Sequence, residues 1–268
     1  MPTDLLNKPY KIAIADIDQS ATLPLSQLAV TTGLPLLPAG FTPLQYCEFL
    51  LFYKNGCLCL QNTDEDSAGA VCVDFDDESL RYRQRRPVKP EALLKASGVK
   101  QGQGSKVLDA TAGLGLDAFL FASAGAQVTL VERSPILHAM LADGLARAAR
   151  SADERVSESV ARMHLLHGDS ASVMARWDEA QAEIVYLDPM FPERKKSAKV
   201  KKNMFLLQQL LHAEPQAEDL LENALKVASK RVVVKRPRHA PFLDERKPSF
   251  SQEGKSSRFD VYVCLPKT

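Results

Sequence analysis

Two hydrophobic rhythms divide the chain. From about residue 105 onward, short apolar runs alternate with helical stretches. Lys106–Asp109, Val128–Glu132, His164–His167, Glu183–Asp188 and Arg231–Lys235 read as strands, and Leu116–Ser123, Pro135–Arg150 and Leu220–Ala228 as helices. Strands that are apolar throughout and separated by helices predict an α/β domain whose parallel sheet is covered on both faces. Phe259–Val263 alternates and predicts an antiparallel edge strand.

Residues 1–80 follow another pattern. Ile12–Ala15, Leu58–Gln61 and Val71–Phe75 read as strands, with a polar hairpin-like loop over 62–69. Leu44–Tyr53 reads as a short helix, and Pro24, Pro35, Pro38 and Pro43 break up the stretch before it. The expected organisation is a small α+β module over 1–80 and the larger domain over 81–268. No apolar run approaches the roughly 18 residues that span a bilayer, and the N-terminal residues lack a secretory pattern, so a cytoplasmic protein is expected.

Composition adds little until charge is read locally. Lys plus Arg is 34 against 33 for Asp plus Glu, a net charge of +1 over 268 residues, so affinity for a polyanion has to come from clusters. Three stand out: Arg81–Arg86 with Lys89, the acid-free run Arg194, Lys195, Lys196, Lys199, Lys201 and Lys202, and Lys235–Arg238, where Lys235 and Arg236 end a strand. A charge run is ordinarily a solvated face. The second and third, however, adjoin strand ends that carry chemistry, where they can hold phosphates, and few aromatics interleave with them, which suits a structured RNA. The five cysteines, Cys47, Cys57, Cys59, Cys72 and Cys264, and the five histidines, His138, His164, His167, His212 and His239, show no metal-ligand spacing, so no metal is expected. The cysteines read as reduced thiols, with Cys57 and Cys59 as small buried hydrophobes on one face of a strand. The histidines and Trp177 read as packing residues, with His239 as a weak candidate for an RNA contact.

The candidate chemistry sits at strand ends. Asp109-Ala-Thr-Ala-Gly-Leu-Gly-Leu-Asp117 forms a strand-to-helix turn in which Gly113 and Gly115 permit positive φ and close approach of a ligand. Glu132 ends the next strand, where a carboxylate can accept from two ribose hydroxyls. Gly113, Gly115 and Ala118 also fit the dinucleotide fingerprint, so a nicotinamide enzyme is the rival. Asp109 at the strand end suits an ammonium-bearing cofactor, and Asp117 in the first helical turn opposes a pyrophosphate. These two acids favour S-adenosylmethionine. Asp169 and Ser170 follow the third strand, where an adenine amino group would be met, although a helix N-cap explains them equally well.

Asp188-Pro-Met-Phe191-Pro follows the fourth strand. An isolated Asp-Pro is ordinarily a rigid turn. At this sheet edge, the Asp188 carboxylate and the Pro189 carbonyl can accept from the N–H groups of an exocyclic base amine, and Phe191 can stack a flipped base. The residues alone therefore reach an amine methyltransferase acting on nucleic acid, with base and polymer open; adenine N6 or DNA, or a non-enzymatic ribosome-assembly factor, are alternatives.

Taken together, segments 109–115, Glu132-Arg133, 186–192, 196–202 and 232–237 resemble the ribosomal small subunit methyltransferase J family over roughly 85–265. The resemblance implies a Rossmann-like fold and methyl transfer from S-adenosylmethionine to N2 of one guanosine near the 3′ end of 16S rRNA, free or in the small subunit. It also implies cofactor contacts at Leu116, Asp117, Glu132, Arg133, Asp169, Ser170 and Asp188. The chain departs from the family pattern at Leu116, where relatives carry Arg, and at Arg86–Glu91, where a glycine-rich stretch is expected. A monomer is expected.

Overall fold

The computed structural model describes residues 9–40, 42–64, 69–77, 92–177, 182–189, 219–254 and 257–264. The chain divides into two compact units: one comprises residues 1–73, 139–144 and 195–214, and the other 74–138, 145–194 and 215–268.

The first unit holds a four-stranded sheet in the order β1 (Tyr10–Ile14), β2 (Cys47–Lys54), β3 (Cys57–Asn62), β4 (Val71–Cys72). β1 and β2 are parallel, and the other pairs are antiparallel. Two expectations fail here. Leu44–Tyr53 is one helical turn, α2 (Pro43–Tyr46), followed by β2. β2 is buried on both faces, so it shows no alternation, and a short apolar run of this kind cannot be told from a helix by periodicity. The proline-rich stretch contains α1 (Leu25–Thr32), because Pro24 caps its start and Gly33, at φ 69°, ends it by donating to the Ala29 carbonyl; the prolines flank the helix. Val71, Val73 and Phe75 are all buried as their alternation implies, yet only Val71 and Cys72 pair in a ladder. Cys47 and Cys59 lie in this unit's apolar core, with Cys57 packed against it.

The second unit carries a seven-stranded sheet in the order β10-β11-β9-β8-β5-β6-β7. Its strands are β5 (Lys106–Asp109), β6 (Gln127–Glu132), β7 (Met163–His167), β8 (Ile184–Leu187), β9 (Arg231–Pro237), β10 (Phe250–Glu253) and β11 (Ser257–Val263). β5 to β9 pair in parallel, whereas β11 runs antiparallel to both β9 and β10. β11 is therefore not the edge strand its alternation suggested. β10 covers it, and the polar sequence Phe-Ser-Gln-Glu gave that edge no hydrophobic signature. The helices are α3 (Ala92–Ser97), α4 (Leu116–Ser123), α5 (Pro135–Ala148), α6 (Glu154–Val160), α7 (Ser170–Ala175) and α8 (Leu220–Val227). The core packs β8, β9 and α8 through Val185, Leu187, Val232, Val234, Leu221 and Ala224, with Trp177 against it. Each valine or leucine among them contributes about 1.5–3 kcal/mol on burial. No described helix is long and apolar enough to cross a membrane.

The chain passes from β5 to β6 to β7 on one side, then returns beside β5 with β8. Strand order thus reverses between β5 and β8, and ligands in open α/β sheets bind at the carboxyl ends of the strands there.

One tight contact in the first unit yields a prediction. A Cβ at Gly144 would lie 2.5 Å from Val73 Cγ1 and 3.0 Å from the Val73 carbonyl oxygen. The overpacking, about 1–3 kcal/mol, outweighs the gain of up to about 1 kcal/mol from better helix propensity. Gly144→Ala is therefore expected to lower the thermal midpoint by a few degrees, and an unchanged or raised midpoint in a melting curve would contradict the packing described.

Candidate functional site

Pairing register brings the singled-out residues to one place. β5 pairs with β8 so that Asp109 lies opposite Tyr186, and β8 pairs with β9 so that Leu187 lies opposite Val234. Side chains alternate along a strand, so Asp109, Tyr186, Asp188 and Lys235 share one face at the carboxyl end of the sheet. Asp117 belongs to the first turn of α4 on the same face.

These groups form a continuous network. Lys235 Nζ donates to Asp117 Oδ2 at 2.7 Å and to Asp188 Oδ2 at 2.9 Å. The Tyr186 hydroxyl donates to Asp117 Oδ2 at 2.6 Å, and its ring meets Phe121 edge-on at 5.5 Å. The backbone N–H of Asp188 donates to Thr111 Oγ1 at 2.6 Å. Burial works against the Lys235 charge, but the Asp188 and Asp117 carboxylates outweigh it and hold the ammonium above its ordinary value. Desolvation pushes Asp188 up, Lys235 pulls it back and Asp117 adds to the rise; 35% of the side chain meets solvent, which screens these effects.

Asp109 is 1% exposed and accepts from the Thr111 N–H at 3.1 Å. Desolvation pushes its carboxyl up to about 8; the Thr111 hydrogen bond opposes this, and Asp117 and Asp188 reinforce it. The folded protein therefore holds a proton that the unfolded chain releases above the ordinary 3.8. Stability that is full below that value falls as pH rises towards 8, by up to about 1.4 kcal/mol per pH unit. Asp109→Asn keeps the acceptor for Thr111 and removes the titration. We expect its denaturant-unfolding stability to be flatter between pH 5 and pH 8 than that of the unsubstituted protein, and parallel profiles would refute this.

The glycine loop is shaped by Glu132. Its Oε2 accepts from the Gly113 N–H and its Oε1 from the Ser134 N–H, both at 2.8 Å, and the residue is 7% exposed. Gly113 and Gly115 adopt φ 54° and 71°, the left-handed region that favours glycine. Ser134 caps α5 by accepting from Leu137, with Pro135 at the first helical position. Asp169 caps α7, accepting from the Ser172 N–H at 2.8 Å, and the Ser170 hydroxyl donates to the Ala110 carbonyl. The Arg133 carbonyl lies 3.1 Å from His167 Nε2, and the His167 ring lies 4.9 Å from that of His138. Leu116 is 41% exposed beside the loop, and Pro189 is buried.

The acceptor set distinguishes between cofactors. The Asp117 and Asp188 carboxylates share a single lysine, the protonated Asp109 carboxyl lies beside them, and Asp117 sits where a helix start would otherwise attract phosphate. The cluster fits a cofactor bearing a sulfonium and an ammonium and disfavours a pyrophosphate.

Comparison with known proteins agrees. A family model described as "Putative SAM-dependent methyltransferase" matches residues 39–264. The chain belongs to this family. Among its relatives, ribosomal RNA small subunit methyltransferase J of Pseudoalteromonas atlantica is 49% identical over 80% of this chain and 84% of the relative. The protein of the same name from Alteromonas mediterranea is 43% identical over 97% and 99%. The crystal structure of the SAM-dependent methyltransferase from Neisseria gonorrhoeae superposes with a TM-score of 0.70 at 33% identity, covering 96% of this chain and 98% of that one. The resemblance to the methyltransferase J family and the Rossmann-like fold are thereby established, S-adenosylmethionine is the cofactor, and the nicotinamide reading falls away.

Within this methyltransferase, two basic residues stand elsewhere than the cluster reading supposed. Lys235 is engaged by carboxylates. Arg236, on the opposite face of β9, is 5% exposed and donates through Nε and Nη2 to the Pro241 carbonyl, so neither is presented to a phosphate. Phe191, Arg194, Lys195, Lys196, Lys199, Lys201, Lys202, the Arg81–Arg86 cluster with Lys89 and His212 lie outside the described residues. Thr111 and Tyr186 were missed as site residues. Their signal was faint: a hydroxyl in the loop, and a tyrosine at a buried strand position, where its O–H needs a partner.

Proposed function

We propose that the protein transfers a methyl group from S-adenosylmethionine to the exocyclic N2 of a guanosine near the 3′ end of 16S rRNA, as a monomer in the cytoplasm. The observation that carries this reading is Asp188. Its Oδ2 is held by Lys235, its backbone by Thr111, and among the described residues nothing hydrogen-bonds Oδ1. Oδ1 is thus an acceptor fixed in place at the strand-order reversal, next to the glycine loop. The names of the relatives support the rRNA substrate, and the acid-free basic run after Phe191 supports contact with its phosphates.

When bound, the cofactor supplies an electrophilic methyl on a positively charged sulfur. The chain supplies position. Glu132, with each oxygen already oriented by a backbone N–H, accepts from the ribose hydroxyls through its remaining lone pairs. Asp109, Asp117 and the Gly113–Gly115 backbone lie where the amino-acid end would be held, with Leu116 and Arg133 lining the approach and Asp169 and Ser170 at the adenine side. Asp188 Oδ1 and the Pro189 carbonyl accept the two N–H bonds of the amine, which localises the nitrogen lone pair and aims it; Phe191 stacks the base. As the new N–C bond forms, the bond from the methyl to sulfur would break and leave a neutral thioether, and the nitrogen's proton would pass along its hydrogen bond to the Asp188 carboxylate. Alignment of this kind is worth several powers of ten in rate without a covalent intermediate. Residues 1–80 act as a module that helps dock the RNA, and 81–268 as the catalytic domain.

The test is mass mapping of 16S rRNA from a strain lacking the protein. The expected result is loss of one N2-methylguanosine near the 3′ end, restored by the gene; an unchanged modification map would refute the proposal.

A further inference from the structure

We infer that Lys235 is a positioning residue for methyl transfer: bridging Asp117 and Asp188, it holds one oxygen of the Asp188 carboxylate and turns the other towards the acceptor amine. This rests on the proposed role of Asp188.

In β9, Arg-Val-Val-Val-Lys, the three valines are buried and Lys235 is half-buried at their end, between β8 and β11, where an ammonium is favoured by pairing. Lys235 is paired twice, to carboxylates from two elements, Asp117 of α4 and Asp188 beyond β8. The Tyr186 hydroxyl fixes Asp117 from the other side, so the ammonium is anchored before it reaches Asp188. Thr111 fixes the Asp188 backbone. A carboxylate tied at its backbone and at one oxygen has little freedom left about its side-chain torsions, and its second oxygen keeps a set direction.

The bridge also sets the charge of Asp188. The charged and titratable groups facing it are Lys235 from β9, Asp117 from α4, Tyr186 from β8 and Asp109 from β5, with Arg236 acting from the far face of β9. Without Lys235, Arg236 is the one cation of this set, and it lies on the far face of β9. Asp188 would then titrate at higher pH and lose its acceptor character over part of the working range.

The test uses the full chain with Lys235→Met and Lys235→Arg. Two readouts are followed: steady-state transfer to 16S rRNA across pH, and the carboxyl titration of Asp188 by NMR, assigned with Asp188→Asn. For Lys235→Met we expect kcat to fall about 100-fold, the scale of a misplaced reacting group. KM for RNA and its salt dependence should stay within about threefold, and the Asp188 midpoint and the acid limb should both move to higher pH. Lys235→Arg keeps the charge and should return the midpoint most of the way. Where Lys235→Met unfolds, Asp117→Asn combined with it relieves the carboxylate repulsion, and kcat of the double variant should fall by a similar factor relative to Asp117→Asn alone. An unmoved Asp188 midpoint would overturn the inference, as would a raised KM and a shallower salt dependence at unchanged kcat, which would make Lys235 a phosphate contact. The NMR titration needs no RNA, so failure of the unsubstituted protein to methylate 16S rRNA would count against the proposed substrate and leave this readout standing.

Discussion

Asp188→Ala is expected to fold and to transfer methyl groups at least about 10³-fold more slowly than the unsubstituted protein. Truncation removes the acceptor for the amine and leaves Lys235 with Asp117 alone. The loss of one preorganised polar group at a reacting centre commonly costs 10²–10³ in rate, and here a half-buried cation also loses one of its two carboxylate partners. The backbone bond from the Asp188 N–H to Thr111 survives, so the loop should keep its path. Asp188→Asn is the finer probe. Its carbonyl can still accept, but its amide either turns towards Lys235, donor against donor, or takes the place of the acceptor. We expect an intermediate rate, with cofactor affinity closer to normal than the rate. Single-turnover transfer of labelled methyl, with circular dichroism to establish folding, checks both variants.

Glu132→Ala carries the second large effect, and it falls on binding and stability together. The carboxylate is nearly buried and satisfies the backbone N–H groups of Gly113 and Ser134. Truncation leaves these two donors without that acceptor, at about 1–3 kcal/mol each. At roughly 2–4 °C per kcal/mol for a domain of this size, the thermal midpoint should fall by several degrees or more. The same change removes the acceptor proposed for the ribose hydroxyls, and two hydrogen bonds to a charged group are together worth at least about 3 kcal/mol, or about 100-fold in Kd. Glu132→Gln keeps the length and one good acceptor and should lie between. Calorimetry with S-adenosylhomocysteine and thermal unfolding read the two consequences separately. A variant that melts early yet binds normally would leave Glu132 a loop-shaping residue and remove it from the cofactor site.

How far the sequence carries the account depends on the period of each segment. The parallel strands were legible because Ile-Val-Tyr-Leu and Val-Val-Val are apolar runs bounded by turn signals. Their ends were legible because Asp109, Glu132 and Asp188 are acids at the points where such runs stop. β2 was read as a helix because burial on both faces erased its alternation. β10 escaped because Phe-Ser-Gln-Glu is an exposed, polar edge strand. Lys235 was grouped with Arg236 and Arg238 as one basic cluster, since adjacency in sequence says nothing about faces. In a strand, neighbours point in opposite directions, so Lys235 joins the carboxylates while Arg236 meets Pro241 on the other side. The position of Asp117 opposite Lys235 depends on how α4 lies over the sheet, which no local pattern encodes.

The claim on which the account turns is that the donor is held by the tips of β5 and β6, with its reacting end at Asp188. A crystal structure with S-adenosylhomocysteine bound tests it most directly. The account predicts ribose hydroxyls on Glu132, the amino-acid end beside Asp109 and the Gly113–Gly115 turn, and the sulfur facing Asp188. A ligand seated elsewhere on the chain, or one bound here with its sulfur turned away from Asp188, would contradict it.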